Sequence, residues 1–153
     1  MSFRVTGLSL DHFRPLFALD DATLASRGIQ RLRAEPGWPD RIGLQDARGG
    51  ESYLLLPFEH QPEHSPYRSA GPIFVDEHAS ETAIYVDEIP DQLRNRLLSV
   101  RAYDEKHEIV DAEVLEGVTL VATLPRFFDK PEVAYLHVHN ARRGCYAARI
   151  DRL

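Results

Sequence analysis

Val133 to Leu153 reads VAYLHVHNARRGCYAARIDRL, and this stretch decides the fold. Two alternating runs flank Asn140-Ala141-Arg142-Arg143-Gly144. Asn and Gly supply turn-compatible backbone there, and Gly144 can take the left-handed position of a bulged turn, so the segment predicts a β-hairpin. An odd loop length sets odd-numbered residues against odd-numbered residues. One face then carries Leu136, Val138, Tyr146, Ala148 and Ile150, and the other Tyr135, His137, His139, Cys145 and Arg149. The first set is core. The second is either a solvated sheet face or the wall of a site. The same segment concentrates two of the seven histidines, the single cysteine and four arginines.

Working outward, Phe3 to Leu8 alternates as a first strand, and Ser9 stands as N-cap before Leu10, Phe13, Leu16 and Phe17, which share a helical stripe. A second short helix follows Asp20 or Asp21 and stops at Gly28. Ile29 to Ala34 and Arg41 to Asp46 read as strands around a breaker-rich loop, and Gly49-Gly50 as a tight turn. Tyr53 to Phe58 is the most continuous apolar run, a central strand whose Pro57 marks an edge or bulge. Glu59 to Ala70, with two prolines and two histidines, reads as a long functional loop. Ile73 to Asp76 and Ala83 to Val86 are short strands. Pro90 suits a first helical turn, with Leu93 and Leu97 on one face. Ser99 to Tyr103 and Glu108 to Leu115 form a hairpin around Asp104 to His107. Gly117 to Phe128 has helical spacing despite Pro125. The expected architecture is α+β: a single domain over residues 1–153, a mostly antiparallel sheet, about three helices and a C-terminal β-hairpin.

With 153 residues and 43% hydrophobic content the chain can bury one good core. A formal charge of -6 provides no footprint for nucleic acid or an anionic membrane. A lone cysteine cannot form an intramolecular disulfide, which suits a reducing compartment, so a cytoplasmic location is expected. No stretch has signal-peptide or membrane-span character, and the protein is expected to be soluble and unprocessed.

His-X-His on a strand puts both imidazoles on one face about 6.6 Å apart along the backbone, within reach of one metal ion of the zinc or non-haem iron kind. Cys145, His60, His64 or Glu59 would supply a third ligand. The double-stranded barrel enzymes called cupins carry His-X-His with a Glu a few residues later, where this chain has Arg142-Arg143-Gly144, so that family is not transferred. Cys145 opposite His139 would be the minimal activated thiol; the alternative is a small buried hydrophobe. Arg68, Arg142, Arg143 and Arg149 match carboxylate or phosphate, or are simply solvated. His12, His78 and His107 read as surface residues. Common redox, nucleotide, hydrolase and zincin motifs do not occur.

Tyr135 to Ala141, followed by Gly144-Cys145-Tyr146-Ala147 and Arg149, resembles the bacterial proteins of domain-of-unknown-function family 1203. Glu59-His60-Gln61-Pro62, Ser65-Pro66-Tyr67-Arg68 and Gly71-Pro72-Ile73-Phe74-Val75 look like that family's second characteristic stretch, and Phe3 to Asp20 also fits. The resemblance covers essentially the whole chain and implies no particular activity. It implies that the two stretches meet in one cleft. The expected site is therefore a polar pocket of His60, Tyr67, Arg68, His137, His139, Asn140 and Cys145 for a small polar or anionic ligand. His139 would be acid or base, Cys145 nucleophile or soft ligand, and Arg68 an anion clamp. Two other readings stay open: a protein-interaction module using the hairpin face, and a zinc-like His-X-His site. Substrate, cofactor, metal identity and oligomeric state are left open.

Overall fold

Alternating residues joined by short turns pair antiparallel, because parallel pairing needs long crossovers. The computed structural model describes residues 1–153. In chain order the elements are β1 (Phe3–Thr6), α1 (Leu10–Phe17), α2 (Asp21–Ser26), β2 (Gln30–Arg33), β3 (Ser52–Gln61), β4 (Ser69–Asp76) and β5 (Ile84–Val86). They continue with α3 (Asp91–Arg94), β6 (Leu97–Tyr103), β7 (Ile109–Glu116), a 3-10 turn (Gly117–Thr119), α4 (Leu120–Phe128), β8 (Tyr135–Asn140) and β9 (Tyr146–Arg152). A six-stranded sheet has the order β5-β1-β9-β8-β6-β7, and a three-stranded sheet the order β2-β3-β4. Every strand pair in both is antiparallel. The fold is α+β with four helices, one more than expected.

Each sheet has its own core. One face of the large sheet, through Val5, Val100, Leu136, Val138 and Ile150, packs on Leu93 of α3 and on Leu120, Leu124 and Phe127 of α4. Leu54 and Leu56 of β3 with Ile73 and Val75 of β4 pack on Leu10, Phe13 and Leu24 of α1 and α2. The first turn of α2 is held by Asp20, whose carboxylate accepts from the Thr23 amide at 2.8 Å. Ser9 precedes α1 without a side-chain cap bond; the Leu10 amide is taken instead by Thr82 Oγ1 at 2.8 Å. No helix is long and apolar enough to cross a membrane.

Three expectations are corrected. Arg41 to Asp46 is a turn region, because the Asp40 carboxylate accepts from the backbone amides of Ile42 and Gly43 and bends the chain away from extension. Leu97 opens β6 and does not continue α3, whose helix ends at Arg94. The long Glu59 to Ala70 loop is mostly shorter strand and turn: β3 runs on to Gln61 and β4 begins at Ser69.

That extension of β3 builds the site. Pro57 pairs opposite Pro72 in the central strand of the small sheet, and the register shifts between Phe58 and Gln61. Beyond the irregularity β3 lies over the second face of the large sheet. Phe58 and His60 meet Tyr146 at ring distances of 6.5 and 5.7 Å, and Gln61 Nε2 donates to the Tyr135 hydroxyl at 2.9 Å.

Candidate functional site

The terminal hairpin closes as its turn residues dictate. Gly144 has φ 79° and its amide donates to the Asn140 carbonyl at 2.8 Å. Pairing runs Leu136 with Ile150, His137 with Arg149 and Val138 with Ala148, and then shifts so that Tyr146 stands opposite His139. The extra residue is a bulge. It moves Tyr146 off the expected core face and onto the histidine face, where it meets His137 and His139 edge-on at 5.1 and 5.7 Å. Ala147 takes its place in the core.

The histidine face is not solvated. Tyr135, His137 and His139 are 4%, 4% and 1% exposed, while Arg149 on the same face is partly open. His137 and His139 ring centroids are 6.5 Å apart, as strand geometry predicts for residues two apart, and His60 approaches them at 6.3 and 4.7 Å. One ligand nitrogen from each of the three histidines lies within 4.8 Å of the other two.

His139 Nδ1 lies 2.9 Å from the Gly144 carbonyl, which only accepts, so this nitrogen carries hydrogen and Nε2 presents its lone pair. His139 Nε2, His137 Nδ1 and His60 Nδ1 are buried without a hydrogen-bond partner. Burial, then the charges of His139 and Arg149, push the pKa of His137 down to about 3. Burial, opposed by the bond to Gly144 and reinforced by Arg101, His60 and Arg41, pushes His139 down to about 4. Burial and Arg101 also lower His60. All three are neutral imidazoles at pH 7, the form that donates a lone pair to a metal.

Aromatic rings hold the cluster. His60 stacks on Tyr146 with the planes 10° apart, and Tyr103 stacks on Tyr135 at 5.3 Å beside His137. Gln61, Tyr135 and His107 are linked: Gln61 Nε2 donates to the phenol oxygen, which also shares a hydrogen bond of 2.9 Å with His107 Nδ1. His107 is thus tied to the terminal hairpin and is corrected from a partnerless surface residue. The segment following His60 does approach the hairpin, through Gln61, as expected of a site rim.

The remaining expected site residues do not join the histidines. Tyr67 is 40% exposed, and the exposed Arg68 pairs with Glu59, its neighbour across the β3–β4 hairpin. His64 is exposed in the same turn. Asn140 and Cys145 line a separate cavity of about 780 Å³, together with Arg41, Arg142 and Arg143. Because the bulge carries Cys145 out of register, it is neither opposite His139 nor among the converging ligand atoms, and it is half-buried at that cavity and not packed in a core. The expected single pocket is two places, a histidine cluster and an arginine-lined cavity.

Reasoning from sequence passed over Arg41, Gln61, Tyr103 and Gln92. No local pattern marks them; the signal is burial of a polar side chain, which depends on the folded chain.

Residues 37–152 match the family model described as Protein of unknown function (DUF1203). The chain belongs to this family. The matched span includes all three histidines and the residues of the arginine-lined cavity. No curated protein and no solved structure matches the chain.

Proposed function

We propose that His60, His137 and His139 hold a divalent transition-metal ion of zinc-like preference, with a fourth position left open for a small polar or anionic molecule. The observation that carries this reading is the convergence of three neutral imidazoles, two buried and His60 half-buried, each with a buried ring nitrogen that has no partner in the protein. Buried polar atoms are nearly always hydrogen-bonded, so three orphans at one spot ask for a common partner. Tetrahedral zinc with nitrogens at about 2.0–2.1 Å sets them roughly 3.4 Å apart. The observed span of up to 4.8 Å would have to contract by roughly 1.4 Å to hold such an ion.

Three histidines are the donor set of sites that keep a coordination position for water or substrate. No carboxylate belongs to this cluster, while Arg101, Arg149 and Arg41 lie close enough to depress its histidines. Positive surroundings weaken a bare dication and favour an anionic fourth ligand, so the site suits activation of water or polarisation of a bound oxyanion. Neither nucleic acid nor a membrane surface is a partner on this reading, given the net charge of -6. A reducing, cytoplasmic setting fits the lone cysteine.

Elemental analysis of protein purified without chelator, beside the His137→Ala/His139→Ala double variant, tests the proposal. One equivalent of metal in the wild type and none in a folded double variant is expected. Absence of metal from both, with none taken up on exposure to zinc, rejects the reading.

A further inference from the structure

We propose that the arginine-lined cavity binds a small organic anion, a carboxylate or phosphate ester carried on an apolar body, with Arg41 as its buried anchor. Arg41 is 1% exposed and lines the cavity. Its Nη1 donates to Gln92 Oε1 at 2.9 Å, and its Nε is buried with no partner. The adjacent Asp40 carboxylate is engaged with the backbone amides of Ile42, Gly43 and Asp76. Arg41 is therefore a buried cation with no direct ion pair, its burial offset only in part by the nearby Asp40 and Asp46 charges. Such a group is among the most costly to bury, and it persists where something else supplies the missing charge. Burial draws its pKa down only to about 10, so it stays charged at neutral pH.

The surroundings hold Arg41 in place. Its backbone amide donates to the Phe74 carbonyl at 3.0 Å and its carbonyl accepts from the Leu8 amide at 2.7 Å. Gln92 is itself fixed, because its Nε2 donates to the Asp40 carbonyl at 3.1 Å. Around the cavity stand four arginines, Arg41, Arg96, Arg142 and Arg143, against one carboxylate, the exposed Glu116. Arg96 is already paired with Asp46; Arg142 and Arg143 are exposed at the rim. In a chain of net charge -6 this is a local reversal of sign that draws in anions. Leu55, Ile73 and Phe74 make the remaining wall apolar, and a volume of about 780 Å³ falls in the range of small-molecule sites. The buried, unpartnered Asn140 Oδ1 adds an acceptor for a hydroxyl or amide hydrogen of the ligand. The inference rests on these residues and is independent of the histidines.

Calorimetric titration with benzoate, phenyl phosphate, inorganic phosphate and uncharged benzyl alcohol tests it, in the wild type, Arg41→Met and Arg142→Ala/Arg143→Ala. One equivalent of benzoate or phenyl phosphate should bind, with benzyl alcohol weaker by about tenfold or more. Arg41→Met should lose about tenfold or more in affinity with a thermal midpoint equal to or above the wild type, since it removes a buried charge that lacks a direct ion pair. The rim double variant, which leaves the interior untouched, should lose affinity several-fold, and bound anion should slow alkylation of Cys145. Tighter binding of phenyl phosphate than of benzoate assigns a phosphate ester, and the reverse a carboxylate. No binding of either aromatic anion, equal binding of benzyl alcohol, inorganic phosphate binding as well as the aromatic anions, or unchanged affinity in both arginine variants would overturn the proposal.

Discussion

The rings of His60 and Tyr146 stack 5.7 Å apart with their planes 10° from parallel, joining the end of the small sheet to the terminal hairpin of the large one. Tyr146 also meets His137 and His139 edge-on, so one side chain orients all three imidazoles. Replacing it by Ala should cost about 3–5 kcal/mol through lost packing and the cavity left behind, while Tyr146→Phe, which keeps the ring, should stay within about 1.5 kcal/mol. Urea unfolding gives both values. Equal, small costs for the two substitutions would show that the ring does not organise the cluster.

Depressed histidine pKa values set the direction of an acid response. His137 and His139 titrate at about 3 and 4 in the folded protein, below the unfolded value of about 6.5. As pH falls from 6.5 the unfolded chain takes up these protons first. The contribution is complete above that value and is lost progressively down to the folded values. For His137 alone this amounts to roughly 2 kcal/mol between pH 7 and pH 5. In metal-free protein His137→Gln should therefore lose less stability than the wild type over this interval. Parallel stability profiles of the two proteins would contradict the assignment.

Gly7 fixes the turn that carries Arg41. A Cβ built there would lie 2.1 Å from the Ile42 carbonyl oxygen and 3.2 Å from that of Arg41. Both contacts are with backbone, which cannot swing aside. Gly7→Ala should destabilise the protein by about 2 kcal/mol or more by displacing the turn, a mechanism like that of overpacking. A thermal midpoint unchanged by this substitution would mean that the turn moves freely relative to β1.

Features that rest on local chemistry were legible in the sequence. Gly144 takes the left-handed turn position, Asp20 caps α2, Gly28 follows its end with φ 72°, and α4 forms in spite of Pro125. His60, His137 and His139 stood out as residue types. Their convergence was not legible, because it depends on β3 running past Pro57 onto the second sheet face. A bulge of one residue moved Tyr146 onto the histidine face and left Cys145 out of register at the other cavity, and simple alternation cannot anticipate that. Tyr67 and Arg68 had the right chemistry but lie at an exposed hairpin end, where Arg68 finds Glu59. Arg41 carries no sequence signal at all; its importance comes from burial without a direct ion pair, a property of distant segments meeting.

The three-histidine centre is tested most directly by calorimetric titration of chelator-treated protein with zinc, in the wild type and in His60→Ala, His137→Ala and His139→Ala. Three neutral imidazoles from two sheets predict a stoichiometry of one zinc per chain in the wild type and an affinity lower by at least about tenfold in each folded single variant. Zinc affinity that survives unchanged when His60 is removed, or no stoichiometric binding in the wild type, would contradict the centre.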